Sequence, residues 1–403
     1  MVMVTGALPR LLFDLCATQP NQAAFHGGGE YAKAVFHALV AARSKTFPIS
    51  AFYNPERPLD GGIWALCDVH KIELLPVDGT VNAVRELLNR KQFTHFFSAL
   101  PYQYGSLDVS GVEATWVIHG LRELECAKDV FESKYIRTVG EVKNLVRKRL
   151  EAARQRHLAR QQFQSLLPQA GDTQEVIVPS LHTKYSIVRE FDDIDPQRIR
   201  VIASPLKALE PPSSLGDATP LLNNLGVEPG RFFLITSAGR WIKNAYRAVR
   251  AFDELASSEQ LNGYKLVVIG GDNLPLARWR LERPSQVVVQ GYLEDNELSL
   301  LYREAFAFVY PTLNEGFGYP PIESMHYGTP VVAAATTSVP EVCRDAALYF
   351  NPLDVEELKN RLLMLQNEPV LYNRLKDKGH VRAQQLMSAQ PQALNEILER
   401  ALR

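Results

Sequence analysis

Short apolar runs alternate with amphipathic segments along the whole chain. Continuous runs of Val, Ile, Leu and Phe are typical of parallel strands that helices cover on both faces. Seven such runs are predicted as strands in the first half, at residues 11–17, 47–53, 71–77, 95–100, 115–119, 175–179 and 198–203. Six more follow in the second half, at residues 232–237, 265–269, 287–289, 306–310, 331–334 and 347–350.

Apolar residues at helical spacing fill the segments between these strands. They predict helices at residues 30–44, 81–91, 245–257, 276–283, 296–305, 320–327 and 354–366. Residues 369–403 are predicted to be mostly helical, with breaks at Gly379 and Pro391, because glycine and proline weaken a helix. Strands that alternate with helices in this way indicate an α/β protein with parallel sheets.

A stretch rich in chain breakers, residues 205–220, divides the pattern in two. Because 403 residues are more than one core usually serves, we expect two domains. A first Rossmann-like domain is predicted at 1–205, a linker at 206–222, a second domain at 223–385 and a final helix at 386–403 that packs back on the first domain. Ligands of parallel sheets bind beyond the carboxyl ends of the strands, so a cleft is expected where the two sets of strand ends face each other.

Composition narrows the class of protein. A hydrophobic content of 46% with 22% charged residues is typical of a soluble globular chain, and a net charge of −1 gives no overall attraction to nucleic acid. No apolar run reaches the roughly 20 residues of a membrane span, and the first run is too short and too acidic for a signal peptide. The four cysteines lie far apart without a C-x-x-C pair, so a cytoplasmic protein without a zinc site or disulfide framework is expected.

The stretch EGFGYPPIE at residues 315–323 follows a predicted strand and leads into a helix that begins at two prolines. Backbone amides at a helix start favour an anion such as phosphate, whereas the carboxylates of Glu315 and Glu323 would repel one. With Glu323 in the first helical turn, we expect both acids to face the hydroxyl groups of a ligand that carries phosphates between polyols, as a nucleotide-sugar does. The alternative, an acid that only complements the helix dipole, explains Glu323 alone.

Residues 232–385 resemble the donor-binding domain of retaining GT-B glycosyltransferases of family 4. Glu315 and Glu323 match the Glu-x7-Glu motif of that family, and GTPVV at 328–332 and SVPEV at 338–342 match its flanking segments. The resemblance implies that Glu323 hydrogen-bonds the donor ribose and that Glu315 holds hydroxyl groups of the donor sugar. It further implies that the sugar and phosphate lie against the backbone amides of Gly316, Phe317, Gly318 and Tyr319.

The same resemblance implies a GT-B architecture. That architecture has two Rossmann-like, doubly wound α/β domains facing a cleft, and a C-terminal helix that crosses back to the first domain. The donor would bind the second domain and the acceptor the first.

A basic turn, GRWIKN at residues 239–244, follows the predicted strand at 232–237. Arg240 and Lys243 at a helix start can neutralise a leaving diphosphate without a metal ion. A solvated basic turn is the alternative interpretation. The family resemblance implies that these residues grip the donor diphosphate, although the two basic residues stand closer together here than is usual in the family.

Two features of the first half are further candidates. The glycines of HGGGE at residues 26–30 open the first predicted helix and can cradle a phosphate, but they lack the G-x-G-x-x-G spacing of a Rossmann fingerprint. The resemblance implies that Gly28 and Gly29 face the donor phosphates. His119 ends the predicted strand at 115–119, where it is either a structural histidine or, as the resemblance implies, a catalytic one near the transferred sugar.

Two charged segments complete the candidates. DDID at residues 192–195 contains the Asp-x-Asp pattern of metal-dependent transferases, but its place between a helix and a strand favours a solvated turn, so no metal and no other cofactor is expected. Residues 141–164 carry seven Lys or Arg against two Glu, with apolar residues at helical spacing. Such a helix lies on an anionic membrane surface or is merely solvated on its basic face. Nucleic acid is not expected as a partner because no aromatic residues are interleaved.

These observations predict a retaining, metal-independent hexosyltransferase. It would move a sugar from a UDP- or GDP-linked donor to a saccharide or lipid-linked acceptor, in the synthesis of a cell-surface polysaccharide or glycolipid. Because no side chain is placed as a nucleophile, we expect same-face displacement, with Lys243, Arg240 and helix-end amides stabilising the leaving phosphate. The alternatives are a sugar-nucleotide epimerase or hydrolase on the same scaffold, and a non-catalytic nucleotide-sugar binding protein.

Overall fold

A computed structural model describes residues 10–19, 27–42, 47–91, 93–126, 128–168 and 174–402. Up to residue 207, the described part contains strands β1 (Leu11–Asp14), β2 (Ile49–Tyr53), β3 (Glu73–Pro76), β4 (His95–Ser98), β5 (Glu113–Val117), β6 (Gln174–Val178) and β7 (Ile199–Val201). The helices there are α1 (Gly27–Ala42), α2 (Gly61–His70), α3 (Val81–Lys91), α4 (Arg122–Glu125), α5 (Val139–Leu150), α6 (Ala152–Leu166) and α7 (Leu181–Glu190).

The remainder of the chain repeats this alternation. Its strands are β8 (Phe232–Ile235), β9 (Lys265–Ile269), β10 (Val287–Gln290), β11 (Ala307–Tyr310), β12 (Val331–Ala334) and β13 (Ala347–Phe350). Its helices are α8 (Thr219–Leu225), α9 (Ala245–Ser257), α10 (Leu276–Trp279), α11 (Asp295–Glu304), α12 (Tyr319–His326), α13 (Val339–Cys343), α14 (Val355–Asn367) and α15 (Pro369–Ala401).

Two compact units are formed. The first consists of the described residues of Met1–Leu124, Arg156–Lys207 and Ala389–Arg403, and the second of those of Glu125–Gln155 and Ala208–Ser388. The predicted domain boundary near residue 205 puts residues 125–155 in the first domain. That segment groups with the second unit instead, because Phe131 and Tyr135 pack against the core of that unit.

The sheet of the first unit has the strand order β3-β2-β1-β4-β5-β6-β7, and all its neighbouring strands are parallel. Fully buried aromatic side chains fill both of its faces, with Phe96 and Trp116 in one core and Phe13 and Phe36 in the other. The chain order reverses between β1 and β4. In a doubly wound sheet this point opens a crevice beyond the carboxyl ends of the two strands.

The sheet of the second unit has the order β10-β9-β8-β11-β12-β13 and is also parallel throughout. Helix α9 covers one face and buries Val249 and Phe252 against the strands. Here the order reverses between β8 and β11. The predicted fold class, two doubly wound Rossmann-like α/β units, is confirmed.

Several predicted boundaries are wrong for local reasons. Helix α15 runs unbroken through Gly379 and Pro391. A Cβ added to Gly379 would lie 3.0 Å from Cγ of Met325, so this glycine allows α12 to pack closely on α15. The basic segment at 141–164 forms two helices, α5 and α6, that are separated at Glu151. Helix α8 begins at Thr219, within the stretch that was predicted as a linker.

Candidate active site

The two loops that carry the second-unit candidates lie where the strand order of their sheet reverses. One loop follows β8 and contains Arg240 and Lys243; the other follows β11 and contains Glu315. The backbone N–H of Leu313 donates to the carbonyl oxygen of Ile242 at 2.9 Å and ties the loops together. Lys243 and Glu315 therefore lie close together, although they are 72 residues apart in the chain.

Lys243 and Glu315 form a direct, buried ion pair. The distance between Nζ of Lys243 and Oε1 of Glu315 is 2.5 Å, and the two side chains are 9% and 12% exposed. The hydroxyl of Thr312 donates to the same carboxylate oxygen at 2.7 Å. The ammonium also lies 5.6 Å from the ring centroid of Tyr310, within the range of a cation–π contact. The sequence predicts that Glu315 and Lys243 contact different parts of the donor, whereas the structure pairs them with each other.

The charge of this pair is fixed by its surroundings. Burial by itself would raise the pKa of Glu315, but the ammonium of Lys243 and the hydrogen bonds from Lys243 and Thr312 outweigh burial and lower that pKa. Burial, together with the charge of Glu315, raises the pKa of Tyr310 well above its ordinary value. Glu315 is therefore a carboxylate and Tyr310 a neutral phenol at neutral pH. Such a carboxylate accepts hydrogen bonds from hydroxyl groups and does not serve as a proton donor.

The glycine-rich loop after Glu315 is held by the segment that precedes α13. The backbone N–H of Glu315 donates to the hydroxyl of Thr337 at 3.0 Å. The hydroxyl of Ser338 donates to the carbonyl oxygens of Glu315 and Phe317, each at 3.0 Å. Gly318, with φ of 105°, occupies the left-handed region and directly precedes α12. The SVPEV segment thus has a structural task, which is to fix the loop that carries Glu315.

Helix α12 starts one residue earlier than predicted, and this shifts Glu323. Because the helix begins at Tyr319, Glu323 lies beyond its first turn, contrary to the prediction. Pro320 and Pro321 have no N–H, so only Tyr319 and Ile322 carry backbone donors within that first turn. An anion at this helix start would therefore find its backbone donors mainly in the loop residues Gly316 to Gly318 and at Tyr319.

Glu323 is half-buried and faces a different environment from Glu315. Burial raises the pKa of Tyr302 on α11 well above its ordinary value, and the charge of Glu323 adds to that effect. Glu323 therefore lies beside the phenol of Tyr302. The two acids of the motif thus have different neighbours, Lys243 for Glu315 and Tyr302 for Glu323.

Arg240 differs from Lys243 in exposure. It precedes the 3₁₀ turn Trp241–Lys243, and its carbonyl oxygen accepts from the N–H of Lys243 at 2.9 Å. Its side chain is exposed and has no ion-pair partner among the described residues. The adjacent Gly239 permits close approach of the loop after β9, since a Cβ there would lie 2.9 Å from the carbonyl oxygen of Gly270.

Asn244 closes the basic turn in a way that the sequence did not disclose. Its backbone is left-handed, with φ of 58°. Its side-chain amide donates to the carbonyl oxygens of Pro311 and Pro352, at 2.9 and 2.7 Å. Asparagine is one of the few residues that adopt this conformation readily, so a Lys-Asn pair before an amphipathic helix was the available signal. Asn244 clamps the turn and does not itself point to a ligand.

The first-unit candidates gather at the reversal point of their own sheet. His119 lies two residues beyond β5, which ends at Val117, so the prediction that it ends the strand is wrong. Nε2 of His119 is 3.0 Å from the carbonyl oxygen of Ala99, which can only accept; this nitrogen therefore carries the proton. The imidazole packs edge-on against Tyr31 of α1, with ring centroids 5.1 Å apart.

Gly28 and Gly29 lie in the first turn of α1, while His26 lies outside the described residues. A Cβ on Gly28 would be 2.6 Å from Cδ2 of Leu100, so close packing already explains this glycine. The structure thus brings the start of α1 and His119 together in the first unit. Their roles toward a donor or acceptor stay predictions.

The Asp-x-Asp segment forms the turn that was expected. Asp195 accepts from the backbone N–H of Gln197 at 2.8 Å and caps a 3₁₀ turn, while Asp192 and Asp193 are exposed. Within the described ranges, no three His, Cys, Asp or Glu side chains gather where a metal ion could be held. None of the described helices combines the length and the apolar character that crossing a bilayer requires.

Known proteins resemble this chain in the second unit most clearly. Residues 223–382, which include Lys243, Glu315 and Glu323, match the sequence model of the family Glycosyl transferases group 1. O-antigen chain mannosyltransferase B of Escherichia coli is 47% identical over 73 residues, or 18% of this chain and 19% of that protein. The serotype-specific mannosyltransferase WbdA of Escherichia coli is 37% identical over 100 residues, or 25% of this chain and 12% of that protein. The matched part thus spans less than a fifth of the length of either relative.

Among solved structures, the sucrose-phosphate synthase of Thermosynechococcus elongatus has the same fold. Its TM-score is 0.67 at 17% identity, and the match covers 96% of this chain and 97% of that one. The fold is therefore the GT-B fold of glycosyltransferases.

Proposed function

We propose that this chain is a retaining glycosyltransferase that moves a hexose from a nucleotide-sugar to a saccharide or lipid-linked acceptor, in the synthesis of a cell-surface polysaccharide or glycolipid. The observation that carries the proposal is the buried Lys243–Glu315 pair at the strand-order reversal of the second sheet. That position is where doubly wound sheets bind nucleotides. The match of residues 223–382 to Glycosyl transferases group 1 supports the same conclusion.

The donor would lie along the two loops of the second unit. Glu323 would accept hydrogen bonds from the ribose, and Glu315 from hydroxyls of the transferred sugar. The ammonium of Lys243 has three donors, so it can keep one bond to Glu315 and offer another to a donor phosphate. Arg240, exposed beside it, would bind the same diphosphate. Together with the loop amides from Gly316 to Tyr319, these cations would stabilise the negative charge that develops on the leaving phosphate.

We propose same-face displacement as the transfer step. The acceptor oxygen would bond to the anomeric carbon on the face from which the phosphate oxygen leaves, and the leaving phosphate would take the acceptor proton. The bond that forms replaces the bond that breaks on the same face, so the configuration is retained. Lys243 and Arg240 would supply positive charge in place of a metal ion, so excess chelator should not reduce the rate.

Mannose is the first sugar to test. Two relatives in Escherichia coli that share 47% and 37% identity with parts of this chain are named as mannosyltransferases. The proposed contacts to the diphosphate do not involve the base, so both UDP- and GDP-linked donors are candidates.

In the first unit, we propose that His119, Gly28 and Gly29 border the transferred sugar and the donor phosphates.

The deciding experiment begins with a thermal-shift panel of UDP-, GDP- and ADP-sugars. A donor at a hundredfold excess over its Kd should stabilise the protein by ~2.7 kcal/mol. Release of the nucleoside diphosphate and the anomeric configuration of the product are then followed by NMR. Replacement of Lys243 or Glu323 by alanine should abolish transfer in a folded protein. Wild-type transfer by either variant, or conversion of the donor sugar without an acceptor, would contradict the proposal; the second result identifies an epimerase.

We also propose that α5 touches an anionic membrane, where a lipid-linked acceptor would reside. Val139, Val142, Val146 and Leu150 lie on one side of this helix and are all exposed. They stand among basic residues, Lys143, Arg147, Lys148 and Arg149. Exposed apolar residues flanked by cations are what an interfacial helix presents to acidic lipid.

Vesicle sedimentation tests this contact. The double variant Val146→Glu with Leu150→Glu should lose binding to vesicles that contain phosphatidylglycerol. The control, Val69→Glu on α2, alters an exposed valine outside the basic segment and should bind as wild type does. If wild type fails to sediment with acidic vesicles, the helix is only a solvated face.

A further inference from the structure

A short segment from the first half of the sequence packs beside the candidate donor site. Residues 128–137, here called the strap, belong to the second unit. The indole N–H of Trp279 donates to the carbonyl oxygen of Lys134 at 2.9 Å, and Arg278 donates to those of Ile136 and Arg137 at 2.7 and 3.1 Å. The ring of Phe131 stacks obliquely on Tyr246, with centroids 5.0 Å apart. The strap is therefore bound by both hydrogen bonds and apolar contacts.

At its centre lies a buried ion pair between Asp129 and Arg247 of α9. The two side chains are each 6% exposed, and Nη2 of Arg247 lies 3.0 Å from Oδ1 of Asp129. A second bond from Nη1 to the other carboxylate oxygen makes the contact bidentate. Burial would raise the pKa of Asp129, but the hydrogen bonds from Arg247 lower it. Removal of one partner would leave an unpaired charge in the interior.

Arg247 links this pair to the donor loop. Its Nη1 also donates to Oδ1 of Asn244 at 2.9 Å, the residue that closes the turn directly after Lys243. Asn244 holds a left-handed backbone there and clamps the carbonyls of Pro311 and Pro352. The hydroxyl of Tyr135 accepts from the backbone N–H of Tyr246 at 2.8 Å, in the first turn of α9. The strap thus fixes both the turn that carries Lys243 and the helix that follows it.

The loop that carries Glu315 is also held by a residue close to the strap. The side-chain amide of Asn314 donates to Oε2 of Glu125 at 2.9 Å, and Asn314 immediately precedes Glu315. Glu125 thus holds Asn314 directly, whereas Asp129 holds Asn244 only through Arg247. Glu125 and Asp129 can therefore act on the ion pair of Lys243 and Glu315 through Asn314 and Asn244.

We propose that Asp129 is a positioning residue for Lys243 and acts through Arg247 and Asn244. The proposal rests on the proposed function, because Lys243 must grip a diphosphate for its position to matter. The bidentate pair keeps Arg247 in place, Arg247 keeps the Asn244 side chain in place, and Asn244 sets the direction in which Lys243 leaves the turn. A displacement of about 1 Å in such a group can cost about a hundredfold in rate.

The test measures how strongly the protein prefers a nucleoside diphosphate to the monophosphate. Calorimetry gives Kd for UMP, UDP, GMP and GDP, and the ratio of monophosphate to diphosphate Kd is compared for whichever base binds wild type. This ratio measures how much the second phosphate adds to the affinity, and a general loss of folded protein does not change it. Variants are Asp129→Ala, Asp129→Asn, Lys243→Ala and the double Asp129→Ala with Lys243→Ala, all at a temperature where each is folded.

The matched control is Lys359→Met. Lys359 on α14 forms an ion pair at 2.9 Å with Glu254, which lies near the C-terminal end of α9, the helix that carries Arg247. In case Asp129→Ala does not fold, Asp129→Leu combined with Arg247→Met removes both charges while it keeps the volume. This pair replacement breaks the link to Asn244 without leaving a buried charge.

Asp129→Ala and the pair replacement should each lower the diphosphate preference on the order of tenfold, about the factor in affinity that one weakened hydrogen bond between charged groups costs. Asp129→Asn should lower it less, and Lys359→Met not at all. The double variant should be no worse than Lys243→Ala, because Asp129 acts through that lysine. The proposal is overturned if Lys243→Ala loses the preference while the Asp129 variants keep it, or if the losses multiply in the double variant. If Lys243→Ala keeps the full preference, the proposed diphosphate site is itself wrong, and the positioning role falls with it.

Discussion

At the scale of single residues, the ion pair of Lys243 and Glu315 combines binding chemistry with a structural constraint. Each partner neutralises the other in a site where neither is more than 12% exposed. A ligand that takes one bond from Lys243 weakens the only ion pair that Glu315 makes among the described residues. Glu315 then becomes a better acceptor for sugar hydroxyls, so diphosphate and sugar binding should reinforce each other.

Replacement of Lys243 by methionine should destabilise the protein by about 3–5 kcal/mol near pH 7, because a buried carboxylate loses its partner. In wild type the lowered pKa of Glu315 gives stability that is present above its ordinary value of 4.5 and lost as pH falls through the folded value. Without Lys243, burial raises that pKa, the sign reverses, and the loss shrinks toward pH 4. Urea unfolding at several pH values measures this. Adding Glu315→Gln should restore most stability but no transfer; an equally unstable double variant would contradict the account.

Asp14 at the end of β1 should show the opposite pH dependence. Burial raises its pKa from 3.8 to about 6, although Ser98 donates to it at 2.7 Å and the N–H of Cys16 at 2.9 Å. A folded pKa above the unfolded one stabilises the protein fully below 3.8, and that stability is lost as pH rises through about 6. Relative to Asp14→Asn, wild type should lose roughly 2 kcal/mol between pH 4 and 7. Parallel stability curves for the two proteins would show that Asp14 titrates normally.

At the scale of elements, the loops after β8 and β9 touch at two glycines. Ala in place of Gly239 would set its Cβ 2.9 Å from the backbone oxygen of Gly270, which cannot rotate away. We expect Gly239→Ala to cost about 1–3 kcal/mol and to weaken nucleotide binding, since it pushes the basic turn outward. Gly216→Ala, where no atom lies within 4 Å, is the control and should stay within about 0.5 kcal/mol of wild type. Thermal unfolding measures the stability of the two variants, and calorimetry measures their affinity for the nucleotide.

The elements themselves were largely predictable from local pattern. Every predicted strand overlaps an observed one, because buried parallel strands are written as continuous apolar runs. Errors fall where tertiary contact overrides propensity, as at Gly379, which packs against Met325 inside an unbroken helix. The start of α12 was missed because two prolines suggested a later beginning, and the error moved Glu323 out of the first turn.

The candidate site was predictable only in part, for a related reason. Residue types and strand-end positions indicated Glu315, Glu323 and Lys243. No local pattern records which of them touch, because Lys243 and Glu315 meet across 72 residues and Asp129 and Arg247 across 118. Long-range pairs of single charges leave no periodicity in a sequence, so the ion pair and the strap appear only in three dimensions.

At the scale of the whole molecule, the second unit is discontinuous in sequence. Its larger part, Ala208–Ser388, depends on Glu125–Gln155 to pair Arg247 and to cover Trp279. Domain boundaries drawn from a linker alone would omit that segment. A fragment that contains the whole second unit must therefore include both segments of the chain.

A fragment of residues 208–388 alone should unfold at a lower temperature than the same fragment with residues 125–155 fused ahead of it through a flexible linker. The physical reason is the buried guanidinium of Arg247, which has no carboxylate partner in the shorter fragment. Circular dichroism melts of the two fragments provide the comparison. The same fusion with Asp129→Ala serves as control and should recover only part of the difference. Equal melting temperatures for all three would show that the strap adds no stability.

The strap also sets an order of events during synthesis. Lys134 leaves the ribosome 145 residues before Trp279, the side chain that binds its carbonyl. At 5–20 residues per second that is a wait of roughly 7 to 30 s, long compared with the folding of most small domains. During this interval Phe131, Tyr135 and Asp129 have no docking surface, so the nascent chain exposes an aromatic segment that only later synthesis can cover. Slow translation between residues 137 and 279 would lengthen that exposure and favour capture of the segment by chaperones.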